Sequence, residues 1–250
     1  MLDIIKEKLK EIEERENVRI IHCVESGSRA WGFPSPDSDY DVRFIYVRPK
    51  EHYLRLDSAR DVIEWQLDDT LDINGWDIQK ALRLLHKSNP TLFEWKSSPI
   101  VYKTTEQWRE VSEIAEKYFS VKLGLYHYLN IAKSNYRKYL TGESVRLKKY
   151  FYVLRPLLAC KWILGEKTPP PMLFEEQMDK YLDKSVKSDV ETLLEMKMSA
   201  PEMGEGKRFD KINEYLCALM EEVEREASKI TDNTPREWQE LNDIFLKLVY

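Results

Sequence analysis

The amino-acid sequence predicts an α+β protein, with a small mixed β-sheet domain over residues 1–103 followed by an all-helical domain over residues 104–250. Short runs of β-branched and aromatic residues are concentrated in the first part, whereas long helical periods fill the second. Glycine is also scarce, with 8 residues in a chain of 250. This scarcity disfavours a β architecture built from many Gly-rich turns and favours a helix-dominated chain.

The first domain is predicted to hold two helices and four strands. Apolar residues at helical spacing indicate an N-terminal surface helix with one buried stripe, formed by Leu2, Ile5, Leu9 and Ile12. Apolar, β-branched and aromatic runs predict strands over residues 18–24, 41–47 and 60–66, and a short strand around 71–73. A second helix is expected over residues 76–86, and Asn89-Pro90 ends it.

The second domain is predicted to consist of helices alone. The helical periods lie over residues 105–118, 121–140, 146–165, 174–196, 209–229 and 235–248. The consecutive prolines 169–171 and the stretch 200–206 interrupt the helical pattern between them.

Charge and composition exclude several classes of protein. The chain holds 39 Lys and Arg against 44 Asp and Glu, a net charge of -5, which argues against sequence-independent coating of nucleic acid. No stretch reaches the roughly 18–20 apolar residues of a membrane span, and the N-terminal helix lacks the apolar core of a signal peptide, so no membrane partner is expected. The three cysteines lie far apart without a CxxC pair, which suits a reducing cytoplasm.

One stretch of the first domain carries the chemistry. A buried strand ends in Gly27-Ser28, where the backbone can turn sharply and present N–H groups to an anion at the start of a helix. After a polar turn, Asp39 and Asp41 lie two residues apart as the next strand begins, so both carboxylates are expected on one face. Two like charges this close repel each other unless a divalent cation lies between them. Mg²⁺ suits such oxygen ligands, with Mn²⁺ as the alternative, and the layout predicts phosphoryl transfer.

This layout resembles the nucleotidyltransferase superfamily of DNA polymerase beta, whose motif runs Gly-Ser, a spacer, and Asp-x-Asp in a strand. Longer segments are similar to the predicted nucleotidyltransferases of the RNA-repair-pathway (RlaP) family. They are GSRAWGFPSPDSDYDVRFIYV, GWDIQKALRLLHKSNP, LFEW, SPIVY and KKYFYVLRPLLACKWI, between about residues 21 and 165. The resemblance implies a palm-like nucleotidyltransferase domain that binds a nucleoside triphosphate.

The resemblance also implies a third carboxylate on a neighbouring strand, and two positions match it. Asp72 lies in an apolar-Asp-apolar strand, as the superfamily pattern requires, and is preferred. Asp77 lies at the start of the predicted helix, where an acid also favours the helix dipole, and is the second choice. The resemblance further assigns nucleotide binding to Gly27, Ser28 and Arg29. Pairing with Asp37 is the alternative role for the arginine.

A second stretch, in the predicted helix over residues 146–165, places cations beside an apolar stripe. On an α-helix Lys148 and Arg155 fall within about 20° of each other along the edge of that stripe, and Lys149 points to the solvent side. Their aliphatic carbons would pack while their charged ends reach a cleft, so both are candidate nucleotide-binding residues. Snorkelling at the helix edge, or an ion pair with a glutamate, is the alternative. Pro156 predicts a kink in this helix.

Together these features predict a Mg²⁺-dependent nucleotidyltransferase. Asp39, Asp41 and Asp72 would hold the metal, while an acceptor hydroxyl attacks the α-phosphorus of the nucleoside triphosphate and releases pyrophosphate. The family resemblance implies an RNA end as the acceptor. Two alternatives stay open: transfer of AMP to a protein or a small molecule, and a nucleotide- or RNA-binding module without turnover.

Overall fold

The structure, a computed structural model, describes residues 1–57, 60–68, 70–199, 204–232, 234 and 236–250, with the backbone alone for 66–68. The chain divides into two compact units. The sheet unit contains Met1–Ala30, Asp39–Phe119 and Thr234–Tyr250, and the helical unit contains Trp31–Ser38 and Ser120–Asn233. The predicted α+β class, with a mixed sheet and a helical part, is confirmed.

Five strands form the mixed sheet of the sheet unit. They are β1 (Arg19–Glu25), β2 (Tyr40–Val47), β3 (Val62–Asp68), β4 (Leu71–Asp77) and β5 (Val101–Thr104), in the spatial order β3-β4-β2-β1-β5. Neighbouring strands run antiparallel except β2 and β4, which pair in parallel. The four predicted strands are confirmed. The fifth, β5, follows Pro99 and is too short to show a strand pattern in the sequence.

The helices surround this sheet or form the helical unit. In chain order they are α1 (Leu2–Glu16), α2 (Gly27–Ala30), α3 (Lys50–Tyr53), α4 (Ile78–His86), α5 (Pro90–Lys96), α6 (Glu106–Ala115), α7 (Val121–Tyr139), α8 (Phe151–Glu166), α9 (Phe174–Tyr181), α10 (Lys187–Ser199), α11 (Asp210–Ser228) and α12 (Gln239–Val249). Residues Glu116–Tyr118 and Leu147–Tyr150 form 3₁₀ turns, and two short strands, β6 (Ser144–Arg146) and β7 (Glu205–Lys207), pair antiparallel. Within the described ranges, none of the helices combines the length and apolar character needed to cross a membrane.

Apolar side chains cover both faces of the sheet. Successive side chains of a strand point to opposite faces, so Ile20 of β1 joins a cluster with α1, and Ile21 joins one with α4, α5, α6 and α12. The second cluster explains why the units do not divide between residues 103 and 104, where the sequence suggested a boundary. Trp108 of α6 and Leu241 of α12 are buried in it, so both helices belong to the sheet unit.

Two of the predicted long helices are interrupted. The helix expected over residues 146–165 begins only at Phe151, because residues 144–146 pair as β6 and residues 147–150 form a 3₁₀ turn. The helix expected over 174–196 is divided into α9 and α10. In the predicted break at 200–206, residues 200–203 lie outside the described residues.

Pro156 lies inside α8, where a neighbouring helix compensates for it. Proline has no N–H to donate to the carbonyl four residues earlier, which belongs to Tyr152. That carbonyl accepts a hydrogen bond of 3.3 Å from Asn135 Nδ2 of α7. The packing of α7 on α8 therefore includes a polar contact at the point where the helix ladder is broken.

The segment Trp31–Ser38, which contains the predicted polar turn, is docked into the helical unit. The Phe174 N–H donates to the Trp31 carbonyl at 3.0 Å, and the Phe33 and Phe174 rings pack with their centroids 5.2 Å apart. Lys197 Nζ donates to the Phe33 carbonyl at 3.1 Å. The chain therefore leaves the sheet unit before this segment and re-enters it afterwards.

The buried His22 of β1 makes the stability of the sheet unit depend on pH. Its ring stacks on Trp108 with centroids 4.3 Å apart, and its Nε2 lies 3.3 Å from the Trp95 carbonyl oxygen. Burial lowers the pKa of His22 from its ordinary value of 6.5 to about 4. Between these two values the unfolded chain binds a proton that the folded protein does not, so stability falls as the pH decreases through this window.

We expect His22→Phe, which keeps a ring against Trp108 but cannot be protonated, to remove this dependence. Between about pH 7 and pH 4 the free energy of unfolding of the wild type should fall by up to about 3 kcal/mol relative to the variant. Urea unfolding of both proteins across this range measures the difference, and the titration of the carboxyl groups cancels between them. Parallel pH profiles would contradict the prediction.

Candidate active site

Two carboxylates lie side by side near the beginning of β2 and β4. Asp41 and Asp72 are direct partners in the parallel register of the two strands. Neighbouring strands are about 4.8 Å apart, so partner side chains on one face are adjacent. The side chain of Asp41 is 23% exposed and that of Asp72 is 48% exposed. The structure thus brings together two of the three predicted metal ligands.

The guanidinium of Arg43 lies between these carboxylates. Its Nη2 donates to Asp41 Oδ1 at 2.7 Å and to Asp72 Oδ2 at 2.8 Å. Arg43 follows Asp41 by two residues, so both side chains point to the same face of β2. The sequence motif does not single out this arginine, although a basic residue that continues the two-residue spacing of Asp39 and Asp41 is a signal that could have indicated it.

The Gly27-Ser28 turn lies against Asp41. The short helix α2 begins at Gly27, as predicted, and this glycine has a φ of 60°. An ideal Cβ at Gly27 would lie 1.9 Å from Asp41 Oδ2, so the position has no room for a side chain. Both the positive φ and the close approach require glycine. The predicted phosphate-binding turn and a predicted metal ligand are therefore in direct contact.

Arg29 connects α2 to the start of β2. Its Nε donates to the backbone carbonyl of Asp39 at 3.0 Å, and its guanidinium carbon lies 3.8 Å from the centroid of the Tyr40 ring. Asp39 itself precedes β2 rather than lying in it, and it is exposed. Ser28, between Gly27 and Arg29, is half-buried. The predicted nucleotide-binding residues of α2 are thus held beside the predicted metal ligands.

A further acidic residue, Glu25, supports Asp41 from within the sheet. It is fully buried; its Oε1 accepts the backbone N–H of Asp41 at 2.7 Å, and its Oε2 accepts a hydrogen bond from the Tyr102 hydroxyl. Burial raises the pKa of the Glu25 carboxyl, and these two hydrogen bonds offset part of that rise. The sequence does not reveal this role, because Tyr102 lies on β5, a strand that the sequence pattern does not predict.

Asp41 is the electrostatic centre of the site. Burial raises the pKa of its carboxyl, the Arg43 charge lowers it, and the charges of Asp39 and Asp72 raise it. Asp39 and Asp72 are therefore both near enough to repel the charge of Asp41, and a cation bound to Asp41 would relieve that repulsion. Carboxylate oxygens also fit a hard cation such as Mg²⁺. Across the described parts of the chain, however, no three His, Cys, Asp or Glu side chains are arranged to hold a metal ion together.

Asp77, the second choice for the third carboxylate, has a structural role. It is the N-cap of α4: its Oδ1 accepts the Gln79 N–H at 2.7 Å, and its Oδ2 accepts the Tyr53 hydroxyl at 2.9 Å. Asp77 is only 4% exposed, and burial raises the pKa of its carboxyl. It lies at the opposite end of β4 from Asp72, about 16 Å away along the strand. The geometry therefore favours Asp72.

The cations predicted to bind phosphates belong to the helical unit and to different elements. Lys148 is half-buried on the 3₁₀ turn and Arg155 is in α8, so the single helical wheel that aligned them does not apply. Arg155 is only 7% exposed, and its guanidinium carbon lies 4.5 Å from the centroid of the Trp31 ring. This burial favours a structural role for Arg155, as an anchor of the docked segment.

Lys149, predicted to point to solvent, is half-buried between aromatic rings. Its Nζ lies 4.0 Å from the centroid of Tyr152 and 4.6 Å from that of Tyr139. A 3₁₀ turn advances by about 120° per residue instead of about 100°, which changes the direction of this side chain. Lys138 Nζ lies 5.0 Å from the Tyr139 centroid as well, so two ammonium groups share one phenol ring.

Comparison with known proteins points to one family. The model of the RNA repair pathway DNA polymerase beta family (RlaP) matches residues 1–247. The uncharacterized protein YcgL of Bacillus subtilis (strain 168) is 46% identical over an aligned length of 250 positions, and the alignment includes 98% of this chain and 95% of that protein. A solved structure of a nucleotidyltransferase-like protein from Exiguobacterium sibiricum 255-15 is 13% identical and is matched over 98% of this chain and 79% of its own, with a TM-score of 0.32.

The two candidates for the third carboxylate should differ in what they contribute to stability. Asp77→Ala removes a helix cap and leaves the Tyr53 hydroxyl without its acceptor, so we expect the free energy of unfolding to fall by about 2 kcal/mol. Asp72→Ala removes a half-exposed ion pair and should cost less than about 1 kcal/mol. Denaturant unfolding without added metal measures both, and a larger loss for Asp72→Ala would count against this assignment.

Proposed function

The chain belongs to the RNA repair pathway DNA polymerase beta family, and on this basis we propose that it is a metal-dependent nucleotidyltransferase. It would transfer a nucleoside monophosphate from a nucleoside triphosphate to an acceptor hydroxyl and release pyrophosphate. The contact between Gly27 and Asp41 carries the proposal, because a turn suited to phosphate lies against a carboxylate suited to a cation. The register that sets Asp72 beside Asp41 adds a second carboxylate to the same place.

Asp39, Asp41 and Asp72 would hold Mg²⁺, or Mn²⁺ in its place. The ion would supply Lewis-acid stabilisation of the phosphate charge and lower the pKa of the attacking hydroxyl. The protein's own residues would fix the geometry. Arg43 orients Asp41 through the 2.7 Å hydrogen bond to Oδ1, and Glu25 holds the Asp41 backbone through the 2.7 Å bond to its N–H.

Gly27, Ser28 and Arg29 would contact the triphosphate. The glycine brings the backbone of the turn close to the carboxylates, and the arginine brings a positive charge that is fixed over the Tyr40 ring. Of the cations in the helical unit, we assign a phosphate contact to Lys148, which lies half-buried on the 3₁₀ turn. Arg155 would not contact the phosphates itself but would hold the Trp31 ring in place, since its guanidinium carbon lies 4.5 Å from the ring centroid.

We propose an RNA end as the acceptor. The family description names an RNA repair pathway. In support, Lys138 and Lys149 share the Tyr139 ring in a chain whose net charge is -5, and Tyr152 lies beside them. Cations combined with aromatic rings are one means by which proteins bind single-stranded RNA. Two alternative functions remain. The protein would either transfer AMP to a protein or a small molecule, or bind nucleotide or RNA without turnover.

Transfer of label tests the function. The protein incubated with each nucleoside triphosphate radiolabelled at the α-phosphate, Mg²⁺ and total cellular RNA should place the label on RNA. Asp41→Asn should lower the rate at least about 100-fold, because it removes one charge from the cation's ligands. Asp57→Asn, which removes an exposed carboxylate paired with Arg55 in the same unit, is the matched control and should leave the rate unchanged.

The destination of the label separates the alternatives. Label on the protein or on a small molecule would favour AMP transfer over RNA modification. Nucleotide binding with no transfer to any acceptor would support the binding module. Equal rates for the wild type and Asp41→Asn would contradict the assignment of the active site.

The phosphate contact of Lys148 is tested by binding. A charge-assisted contact contributes about 1.5–3 kcal/mol, so Lys148→Ala should raise the Kd for ATP roughly ten- to a hundredfold while the Kd for adenosine stays the same. Lys161→Ala is the control, because Lys161 lies on α8 and its charge is already paired with Glu222 at 2.7 Å. If calorimetry shows that the two variants lose the same affinity for ATP, the effect is one of diffuse charge and not of a contact.

A further inference from the structure

The Arg43 guanidinium is fixed by the backbone as well as by the two carboxylates. Its Nη1 donates to the carbonyls of Val42 at 3.1 Å and Asp72 at 3.0 Å, while its Nη2 donates to the two carboxylates. The side chain is only 17% exposed. Four acceptors around one planar group hold it in place, so the arginine is a permanent part of the site and not a mobile surface charge.

This arrangement divides the oxygens of Asp41 between two neighbours. Oδ1 accepts a hydrogen bond from Arg43, whereas Oδ2 faces Gly27 and the turn that is expected to bind phosphate. On Asp72, Oδ2 is the oxygen that Arg43 holds. Each carboxylate therefore has one oxygen bound to the protein, and the second oxygen of Asp41 is directed towards the Gly27-Ser28 turn.

The same arrangement changes the charge of the site. Three carboxylates, Asp39, Asp41 and Asp72, carry three negative charges, and Arg43 neutralises one of them. A divalent cation that approaches Asp41 and Asp72 must come within a few ångströms of this guanidinium. Repulsion between the two cations lowers the affinity of the site for the metal, and it is not removed by moving the arginine, because the backbone carbonyls hold it.

We propose that Arg43 is a positioning residue that acts as a built-in counter-ion: it fixes Asp41 and Asp72 and keeps divalent cations weakly bound until an anionic nucleotide triphosphate arrives. The inference rests on the proposed function, since it concerns the cation that these carboxylates would hold. The triphosphate brings negative charge of its own, which offsets the guanidinium and lets the cation bind firmly. The site is thereby loaded by the metal and nucleotide together and not by the metal alone.

Binding of Mn²⁺ to the whole protein without nucleotide tests this proposal. Free Mn²⁺ is followed by its electron paramagnetic resonance signal in titrations of the wild type, Arg43→Met and Arg43→Lys. We expect Arg43→Met to bind Mn²⁺ about tenfold more tightly than the wild type, because it removes the repelling charge. Arg43→Lys keeps the charge, and its Mn²⁺ affinity should stay within about threefold of the wild type.

Two further measurements make the result specific. Arg60→Met, which removes an exposed arginine paired with Glu64 at 2.7 Å, changes the net charge equally and should leave Mn²⁺ affinity unchanged. Addition of a non-hydrolysable ATP analogue should tighten Mn²⁺ binding to the wild type more than to Arg43→Met. If Arg43→Met does not fold, Arg43→Gln takes its place, since its amide is neutral and can still donate to one carboxylate.

The outcomes are distinct. The proposal is supported if Arg43→Met or Arg43→Gln binds Mn²⁺ more tightly than the wild type, while Arg43→Lys and Arg60→Met do not. If Arg43→Met or Arg43→Gln binds Mn²⁺ no more tightly than the wild type, the proposal is overturned but the proposed function stands, because the carboxylates would still bind the metal. The proposal is also overturned if Arg43→Lys or Arg60→Met tightens Mn²⁺ binding as much as the neutral substitutions do. If none of the proteins binds Mn²⁺ with or without nucleotide, both the inference and the proposed metal-dependent function are wrong.

Discussion

The close approach of Gly27 to Asp41 is the constraint on which the rest of the site depends. The antiparallel register pairs Glu25 at the end of β1 with Val42 of β2, so the turn that follows β1 must fall beside Asp41. A side chain at residue 27 would collide with the carboxylate, with a Cβ only 1.9 Å from Oδ2. Glycine at this position therefore does two things at once: it permits the turn, and it leaves the carboxylate oxygen accessible from the turn.

The site places the acidic side chains of Glu25 and Asp41 in a largely buried part of the sheet, where their charged forms are destabilised. Burial raises the pKa values of both Glu25 and Asp41, which means that the folded state disfavours their charged forms. The Arg43 guanidinium and the Tyr102 hydroxyl offset part of this cost through hydrogen bonds. A sheet selected only for stability would have apolar or paired residues here. The charges of Asp39 and Asp72 add to this cost by raising the pKa of Asp41 further, which a cation bound beside Asp41 would offset.

The strands that carry the candidate site could be predicted from the sequence because their apolar patterns are local. The Gly-Ser and Asp-x-Asp motifs led to Gly27 and Asp41, and the third carboxylate implied by the family resemblance led to Asp72. The residues that support them could not. β5 forms because it pairs with β1, nearly eighty residues earlier in the chain. The sequence pattern does not predict β5, so it cannot predict the contact between Tyr102 and Glu25. The packing of α12 on the sheet is equally remote in the chain, which is why the two units do not divide at residue 103. A helical wheel also fails for Lys149, because it assumes one helix where a 3₁₀ turn precedes α8.

The segment Trp31–Ser38 connects α2 to Asp39 along the chain and is held by contacts within the helical unit. One peptide bond joins α2 to Trp31 and another joins Ser38 to Asp39, and the segment between them is docked in the helical unit. Fixing each backbone residue costs about 1–2 kcal/mol of conformational entropy, and here the packing of Phe33 on Phe174 and the hydrogen bonds to the Trp31 and Phe33 carbonyls offset it. If that docking were lost, both ends of the segment would become free together. One end of the segment follows Arg29, predicted to bind nucleotide, and the other precedes Asp39, a predicted metal ligand. These two residues are also joined directly, since Arg29 Nε donates to the Asp39 carbonyl.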